Sequence, residues 1–404
     1  KIKGIWRYIL YFNTTCCIIA FGYHKKEETT MKWLKQCIIF LAVCLLCGCW
    51  DNREMEDRSY IITMGIDKNQ KDGRYVLTLA PAQLSATGSQ EENTQQTKEK
   101  AIAVTGDTLA SAIRQADTYS SRQVYLGQLK TVVLGKEILK DEKLLKSLLD
   151  ELERNQDISG KIILLGTEGT ARECVNAILQ ADTSNGLFIW DFYKNTAQDV
   201  AVTRKLELET FLRELRSSNG NSILPKITPT EKGIKLGGGI IIAQYRFLDS
   251  LSDDQEQEVL LFKGQATGAV INGIWENNAI PMWVYRNKSK LEFSQENNQL
   301  VCHVKIYIEG SAEGSSLESK SLFQTNSIEE LENIFETIIK SKIENTIALA
   351  QKKYKKDIYD IASQLKKQDL TLYHQYASDK QEMIQNMIFD ISVNVKIRTI
   401  GVVD

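Results

Sequence analysis

Residues 327–356 read SIEELENIFETIIKSKIENTIALAQKKYKK, and this stretch decides the fold of the C-terminal half. Ser327 followed three residues later by Glu330 is a capping box, the side-chain arrangement that satisfies the free N–H groups opening a helix. Ile328, Leu331, Ile334, Phe335, Ile338, Ile343, Ile347, Ala350 and Tyr354 then recur mostly at three- or four-residue intervals, the period of one helix face. A helix over Ile328–Lys356 at 1.5 Å per residue is about 43 Å long, enough to cross several strands. Strands stand on both sides of it. In Leu300–Glu309, Cys302, Val304, Ile306 and Ile308 alternate with more polar residues, and Ile388–Arg398 alternates in the same way. The expectation is an antiparallel sheet with one wet face, its apolar face covered by the long helix through Phe335 and Ile338.

Further toward the N-terminus, strands are read at Gly239–Tyr245, Val259–Val270, Met282–Tyr285 and Lys290–Phe293. The segment Ser217-Ser218-Asn219-Gly220-Asn221-Ser222, with Pro225, Pro229 and Gly233 beyond, is the best boundary in the chain. Before it, Tyr60–Asp67 and Tyr75–Ala80 form a hairpin about Lys71-Asp72-Gly73. Residues 85–100 hold nothing apolar larger than Ala and read as a mobile excursion. Helices are expected at Asp107–Asp117 (capped by Asp107), Lys136–Arg154, Glu168–Gln180 and within Ile189–Leu215, with strands at Leu129–Leu134 and Lys161–Leu165. Strands alternating with helices suggest an α+β or mixed-sheet chain and the length suggests two or three domains behind a leader, divisible as residues 49–140, a helical or mixed 141–222, and a strand-rich 232–404.

The chain has 404 residues, 43% of them hydrophobic and 25% charged, with a formal net charge of −2. That balance excludes a strongly basic nucleic-acid binder and a highly charged disordered chain. Six of the 8 cysteines fall within the first 49 residues; only Cys174 and Cys302 follow. A disulfide framework needs paired cysteines throughout the folded part, so these two are expected as separate buried thiols, with a single bridge between them as the other reading.

Residues 31–48 have the order of an export signal. Lys32 and Lys35 precede an apolar run from Ile38 to Cys47. Ten helical residues span about 15 Å against about 30 Å of hydrocarbon, too short to cross a membrane and right for a signal peptide. The run ends Leu46-Cys47-Gly48-Cys49, the pattern of a bacterial lipobox, with Cys47 where Ala or Ser is usual. Cleavage between Gly48 and Cys49 and lipidation of Cys49 are expected, since only a thiol can form the thioether that carries diacylglycerol; an ordinary secretory signal is the alternative. Residues 1–30 read as upstream sequence with the start at Met31, or as a first membrane span; the former is favoured because Met31 opens a complete signal. Removing residues 1–48 takes away seven basic and two acidic groups and leaves an acidic chain of net charge about −7.

Chemistry is sparse beyond this point. Only His303 and His374 remain after Cys49, and no HExxH or CxxC spacing occurs there. No serine lies in a GxSxG elbow. Gly237-Gly238-Gly239 is followed by Ile240 rather than by Gly-Lys-Ser/Thr, so it reads as a flexible lead-in to a buried strand, not a phosphate cradle. The run Lys352-Lys353-Lys355-Lys356 sits where a helix C-terminus favours cations, with contact to anionic lipid as the other reading. No catalytic, metal-binding or cofactor-binding residue is assigned.

Five segments in order resemble the Ger(x)C spore-germination lipoproteins, the C subunits of germinant receptors. They are Gly48-Cys49-Trp50-Asp51-Asn52-Arg53-Glu54-Met55; Gly65-Ile66-Asp67; Tyr125 through Gly135, with Gln128 where the family often has His; Ala350 through Ile358; and Val393 through Gly401. The resemblance implies a three-domain α+β protein without enzymatic activity, anchored through Cys49 in membrane lipid on the outer face of the spore inner membrane. It also implies two integral-membrane partners, the A-type and B-type subunits, that respond to small nutrients; nucleic acid and cofactors have no part. An exported solute-binding lipoprotein or a cell-wall hydrolase is the alternative.

Overall fold

The computed structural model describes residues 57–82, 100–181, 187–196, 200–275, 278–314, 325–377 and 380–402. The excursion expected over 85–100 lies outside the described residues except at Lys100, and the signal peptide, Gly48 and Cys49 lie wholly outside them.

The hairpin expected near the start is present: β1 (Arg58–Lys68) and β2 (Tyr75–Pro81) pair antiparallel, and β3 (Ile102–Gly106) adds to β2. Helix α1 (Leu109–Asp117) is capped by Thr108 rather than Asp107, because Thr108 and Ser111 satisfy each other's backbone N–H groups. Strands β4 (Gln123–Tyr125) and β5 (Thr131–Leu134) both run parallel to β1. The helical stretch expected over 136–154 is two helices, α2 (Lys136–Lys140) and α3 (Glu142–Arg154). They part at Asp141, whose carboxylate caps α3 by accepting from Leu144 N at 3.1 Å.

Strand β6 (Ile163–Gly166) and helix α4 (Ala171–Ala181) follow, then a short α5 (Phe188–Asp191) that widens into a π turn over Phe192–Thr196, then α6 (Leu208–Ser217). Ile189–Leu215 is thus a broken set of short helices. Strands β7 (Ser222–Thr230), β8 (Gly233–Ala243) and β9 (Arg246–Leu251) complete a sheet of order β3-β2-β1-β5-β6-β7-β8-β9, with β4 beside β1. Both faces are covered. Val132, Leu134 and Leu164 face a core with α3 and α6, while Val133, Ile163 and Leu165 face Cys174 and Ile178 of α4. The near-continuous apolar strands β5 and β6 follow from burial on two sides. Lys140 closes α2 and Ser222 opens β7.

Helix α7 (Asp253–Lys263) corrects the strand expected over Val259–Val270. Val259 to Phe262 are all buried, because α7 packs on β8 and β9 on one side and on the second sheet on the other. An apolar run of four has no readable period. The deciding signals lie outside it: the Ser252–Gln255 capping box and Gly264, whose φ of +70° ends the helix.

The second sheet has order β10-β11-β12-β13, from β10 (Val270–Trp275), β11 (Asn278–Glu296), β12 (Gln299–Gly314) and β13 (Ile388–Val402). Met282–Tyr285 and Lys290–Phe293 are parts of the one strand β11. The antiparallel pairing expected throughout holds for the first three strands; β13 runs parallel to β12. The connection explains it. Helix α8 (Thr325–Ala348), continued as a π turn over Leu349–Tyr354, is a crossover that returns the chain in the same direction. Helices α9 (Ile361–Gln368), α10 (Leu370–Tyr376) and α11 (Lys380–Asn386) lie between it and β13.

The long helix begins at Thr325, two residues before the expected cap, and ends at Lys355, which has φ +53°. Its buried stripe is Leu331, Phe335, Ile339, Ile343 and Ile347; Ile339, not Ile338, is fully buried. The ring of Phe335 fits over Gly273 of β10, where a Cβ would stand 2.9 Å from Phe335 Cε1. Glu332 and Glu336 accept from Ile397 N and Val395 N, both at about 3 Å, so the helix also satisfies the open edge of β13. Replacing Phe335 by Ala is expected to cost about 3–5 kcal/mol in urea unfolding, the toll of a large buried ring removed from a site that cannot collapse. Phe335→Asp should leave no cooperative unfolding transition; a melting temperature unchanged by it would mean that the stripe is not core.

Candidate functional site: a charged cleft between the two sheets

Arg204 lies just before α6 and is anchored to it. Its Nη1 and Nη2 each donate to Glu214 at 2.7 Å, and Nη2 also donates to the Ile223 carbonyl at 2.6 Å. Ser222 Oγ donates to the same Glu214 carboxylate at 2.6 Å. Burial opposes ionisation of Glu214, but the hydrogen bonds and charge of Arg204 outweigh it and hold the carboxyl at about 2. The planar fork of Arg fits a carboxylate bidentately, which ties α6 to β7 where a linker was expected.

Behind this pair lies Glu256 of α7, 1% exposed, with no hydrogen-bond partner on either carboxylate oxygen. Burial pushes its carboxyl above the ordinary range, although Arg204 and Lys263 pull the other way. The triple glycine explains how a helix comes so close. A Cβ on Gly239 would stand 2.7 Å from Glu256 Oε2, and Gly238 takes φ +72° while donating its N–H to the Val202 carbonyl. These glycines are therefore interior to β8 and form a groove for α7, which corrects the flexible lead-in expected of them.

Between α6 and β7 on one side and β11, α7 and α9 on the other opens a cleft of about 510 Å³. Phe262, Leu291 and Ile358 lie along it, the first and last almost wholly buried, and Arg204, Lys263 and Asp360 supply charge. One lip is the turn before α9. There Asp357 accepts from Tyr359 N, Ile361 N and Ala362 N at 2.8 to 3.1 Å, and so caps α9. Asp360, in the N-cap position with φ +63°, makes no capping bond. Burial, then the charge of Asp357, pushes the Asp360 carboxyl up to about 6.

The residues singled out by sequence are scattered. Cys174 and Cys302 are free and buried in different cores, and burial pushes their thiols up to about 11 and about 12. Thiols so protonated are poor nucleophiles. His374 lies on α10 with its ring edge-on to Tyr373. Lys353 pairs with Asp249 at 2.6 Å, linking the π turn to β9. His303 has partners that sequence did not anticipate. Ser294 Oγ is 2.9 Å from its Nε2, and Asp390 Oδ2 is 2.9 Å from its Nδ1, the contact order of a hydrolase triad. Hydrolysis by such a set also needs oxyanion donors in a water-excluded site. Here the three stand side by side on neighbouring strands, with Asp390 68% exposed. Among the described residues no group of three or more His, Cys, Asp and Glu side chains is placed to hold a metal, and no helix is long and apolar enough to cross a membrane.

The architecture defines an α+β protein of two sheets sharing one core through α7, with a ligand-sized cleft where they meet. Its N-terminal part, residues 51–229, matches the family described as the spore germination protein N-terminal domain, and residues 237–401 match the spore germination B3/GerAC-like C-terminal family. The chain belongs to the Ger(x)C family of spore germination proteins. It is 22% identical to spore germination protein B3 of Bacillus subtilis over 91% of this chain and 97% of that one. It is 23% identical to spore germination protein KC of the same organism, over 81% of this chain and 85% of the other. The crystal structure of the GerBC protein shares the fold, with a TM-score of 0.57 and 17% identity over 83% of this chain and 96% of that one.

The segments that carry the family resemblance do structural work at these junctions. Asp67 accepts from Ala171 N and Arg172 N at 2.8 and 2.9 Å, so the end of β1 caps α4. Gln351 Nε2 donates to the Ile384 and Met387 carbonyls at 2.9 and 2.8 Å, tying the π turn to the entrance of β13. Asp357 builds the lip of the cleft.

The Glu214 carboxyl titrates below its ordinary value of 4.5, near 2, so its contribution to stability is complete above about 4.5 and is lost as pH falls toward about 2. Glu214→Gln is expected to cost about 3 kcal/mol at neutral pH, since it leaves the Arg204 charge without its counterion. It should also flatten the acid limb of the stability profile in that window. Denaturant titrations at a series of pH values measure both effects.

Proposed function

We propose that this chain is the lipid-anchored C subunit of a nutrient germinant receptor. It is held on the outer face of the spore inner membrane by diacylglycerol on Cys49 and works with two integral-membrane subunits of the A and B types. The observation that carries the reading is the ordered match of both family domains along residues 51–401, directly behind Gly48-Cys49-Trp50-Asp51. A two-sheet body without a membrane-crossing helix among its described residues is suited to an acyl anchor. We further propose that the subunit does no chemistry. The Ser294–His303–Asp390 set favours the hydrolase reading in its contact order alone, and its exposed setting supports a structural role for it.

Feeding a palmitate analogue to sporulating cells should label the wild-type chain and leave Cys49→Ala unlabelled; label on the variant would overturn the anchor. Spores carrying Cys49→Ala should respond poorly to nutrient while the purified chain keeps its melting temperature. Turnover of peptidoglycan by the purified chain, lost in Ser294→Ala, would establish the hydrolase instead.

A further inference from the structure

An edge strand leaves a row of backbone N–H and C=O groups that the sheet itself does not use, and folded proteins guard such rows with charge, proline, bulges or a covering element. The outer strands of the two sheets are β3, β9, β10 and β13. Three of them are guarded. On β13, Glu332 and Glu336 of α8 accept from Ile397 N and Val395 N. On β3, Thr105 N donates to Gln115 of α1 at 3.2 Å. Strand β9 carries Arg246 and Asp249, in ion pairs with Glu142 and Lys353. Strand β10 reads Val270-Ile271-Asn272-Gly273-Ile274-Trp275, with no charge and no proline, and its register with β11 runs without a shift.

The phase of the ladder says which groups face outward. Val284 N donates to the Ala269 carbonyl at 2.8 Å. By alternation Ile271, Gly273 and Trp275 bond to β11, while Val270, Asn272 and Ile274 turn their N–H and C=O groups to the open edge. The same three residues place their side chains on the sheet face away from α8, since Ile271, Gly273 and Trp275 are the buried ones. Ile274 is 71% exposed, the most exposed large apolar side chain among the described residues. Its neighbours across β11, Ala279, Pro281 and Trp283, add no charge. One exposed isoleucine is ordinary; one on an unguarded, uncharged edge strand is a pairing site.

We propose that β10 pairs antiparallel with β10 of a second copy of this chain, about a two-fold axis at Asn272, so that the two four-stranded sheets become one. Val270 then stands opposite Ile274 of the second copy and Asn272 opposite Asn272, and each outward donor meets an outward acceptor. On the outer face Trp283 and Val270 of one copy continue into Ile274 and Ala279 of the other, an apolar row across the axis. The strand itself selects this occupant. Its outward residues are apolar at both ends and amide in the middle, the pattern that a two-fold axis makes self-complementary. It brings no like charges together, although the chain as a whole is acidic. A lipid surface would cover Ile274 without supplying the alternating donors and acceptors of a strand. The inference concerns how the chain pairs with itself and goes beyond the receptor reading; either can fail without the other.

The test is sedimentation velocity of the full chain in density-matched detergent micelles over a concentration series, with amide hydrogen exchange on the same samples. A monomer–dimer equilibrium is expected. Protection of the Val270, Asn272 and Ile274 amides should rise with concentration, while that of Ile271 and Gly273, bonded within the sheet, should not. Ile274→Lys and Asn272→Pro should each weaken the dimer by about tenfold or more. Both should leave the melting temperature of the monomer unchanged, because the Ile274 side chain and the Asn272 N–H face outward and take no part in the ladder with β11. Tyr119→Lys, which removes a 69% exposed apolar side chain after α1, should leave the dimer as it was. Four results overturn the proposal: a monomer at every concentration, a dimer undiminished in both β10 variants, an equal loss in Tyr119→Lys, or a monomer that binds phosphatidylglycerol vesicles through Ile274, which would assign the edge to lipid.

Discussion

Burial of one face of α8 on the second sheet is the contact on which the C-terminal half depends. Leu331, Phe335, Ile339, Ile343 and Ile347 repeat at four-residue steps and are all buried. A helix that long, laid across the sheet between β12 and β13, carries the chain back to the edge at which it started. The last strand must then enter parallel to β12. Its outer N–H groups at Val395 and Ile397 meet Glu336 and Glu332 of the same helix. One element thus supplies the core, sets the strand direction and closes the edge. Its π turn delivers Gln351 and Asp357 to the places where β13 begins and where the cleft has its lip.

The junction of the two sheets follows a different logic. Helix α7 is apolar toward both, but it brings Glu256 with it and ends in Lys263, next to the Arg204–Glu214 pair. Charges in such a place are tolerated when they are matched and hydrogen-bonded. The Arg204–Glu214 pair meets that condition through the two Nη groups, while Glu256 lies buried without a hydrogen-bond partner, its carboxyl pushed above the ordinary range. Lys263 and Asp360, both lining the cleft, are shifted by burial as well, the ammonium down and the carboxyl up to about 6.

Much of the local structure was legible in the residues, because it depends on neighbours in the chain. The β1–β2 hairpin, the long helix and the two buried thiols follow from period, turn and burial preferences. The errors have physical sources too. Val259–Phe262 looked like a strand because a run buried on all sides has no period, and the true signal was the capping box at Ser252. Ile339 replaced Ile338 because the helix phase depends on where the sheet lies. The cleft was not legible at all: Arg204, Glu214, Lys263 and Asp360 come from four segments, each ordinary by itself.

The sequence alone determined the α+β class, the family and the helix that covers the second sheet. These rest on interactions between residues a few positions apart, or on ordered motifs. Only the tertiary structure decided the direction of β13, the role of the triple glycine as a groove for α7, and which charges are left without partners. Each of these turns on groups tens or hundreds of residues apart. Whether a charge is solvated, paired or stranded depends on what the fold brings against it, and the chain order carries no record of that.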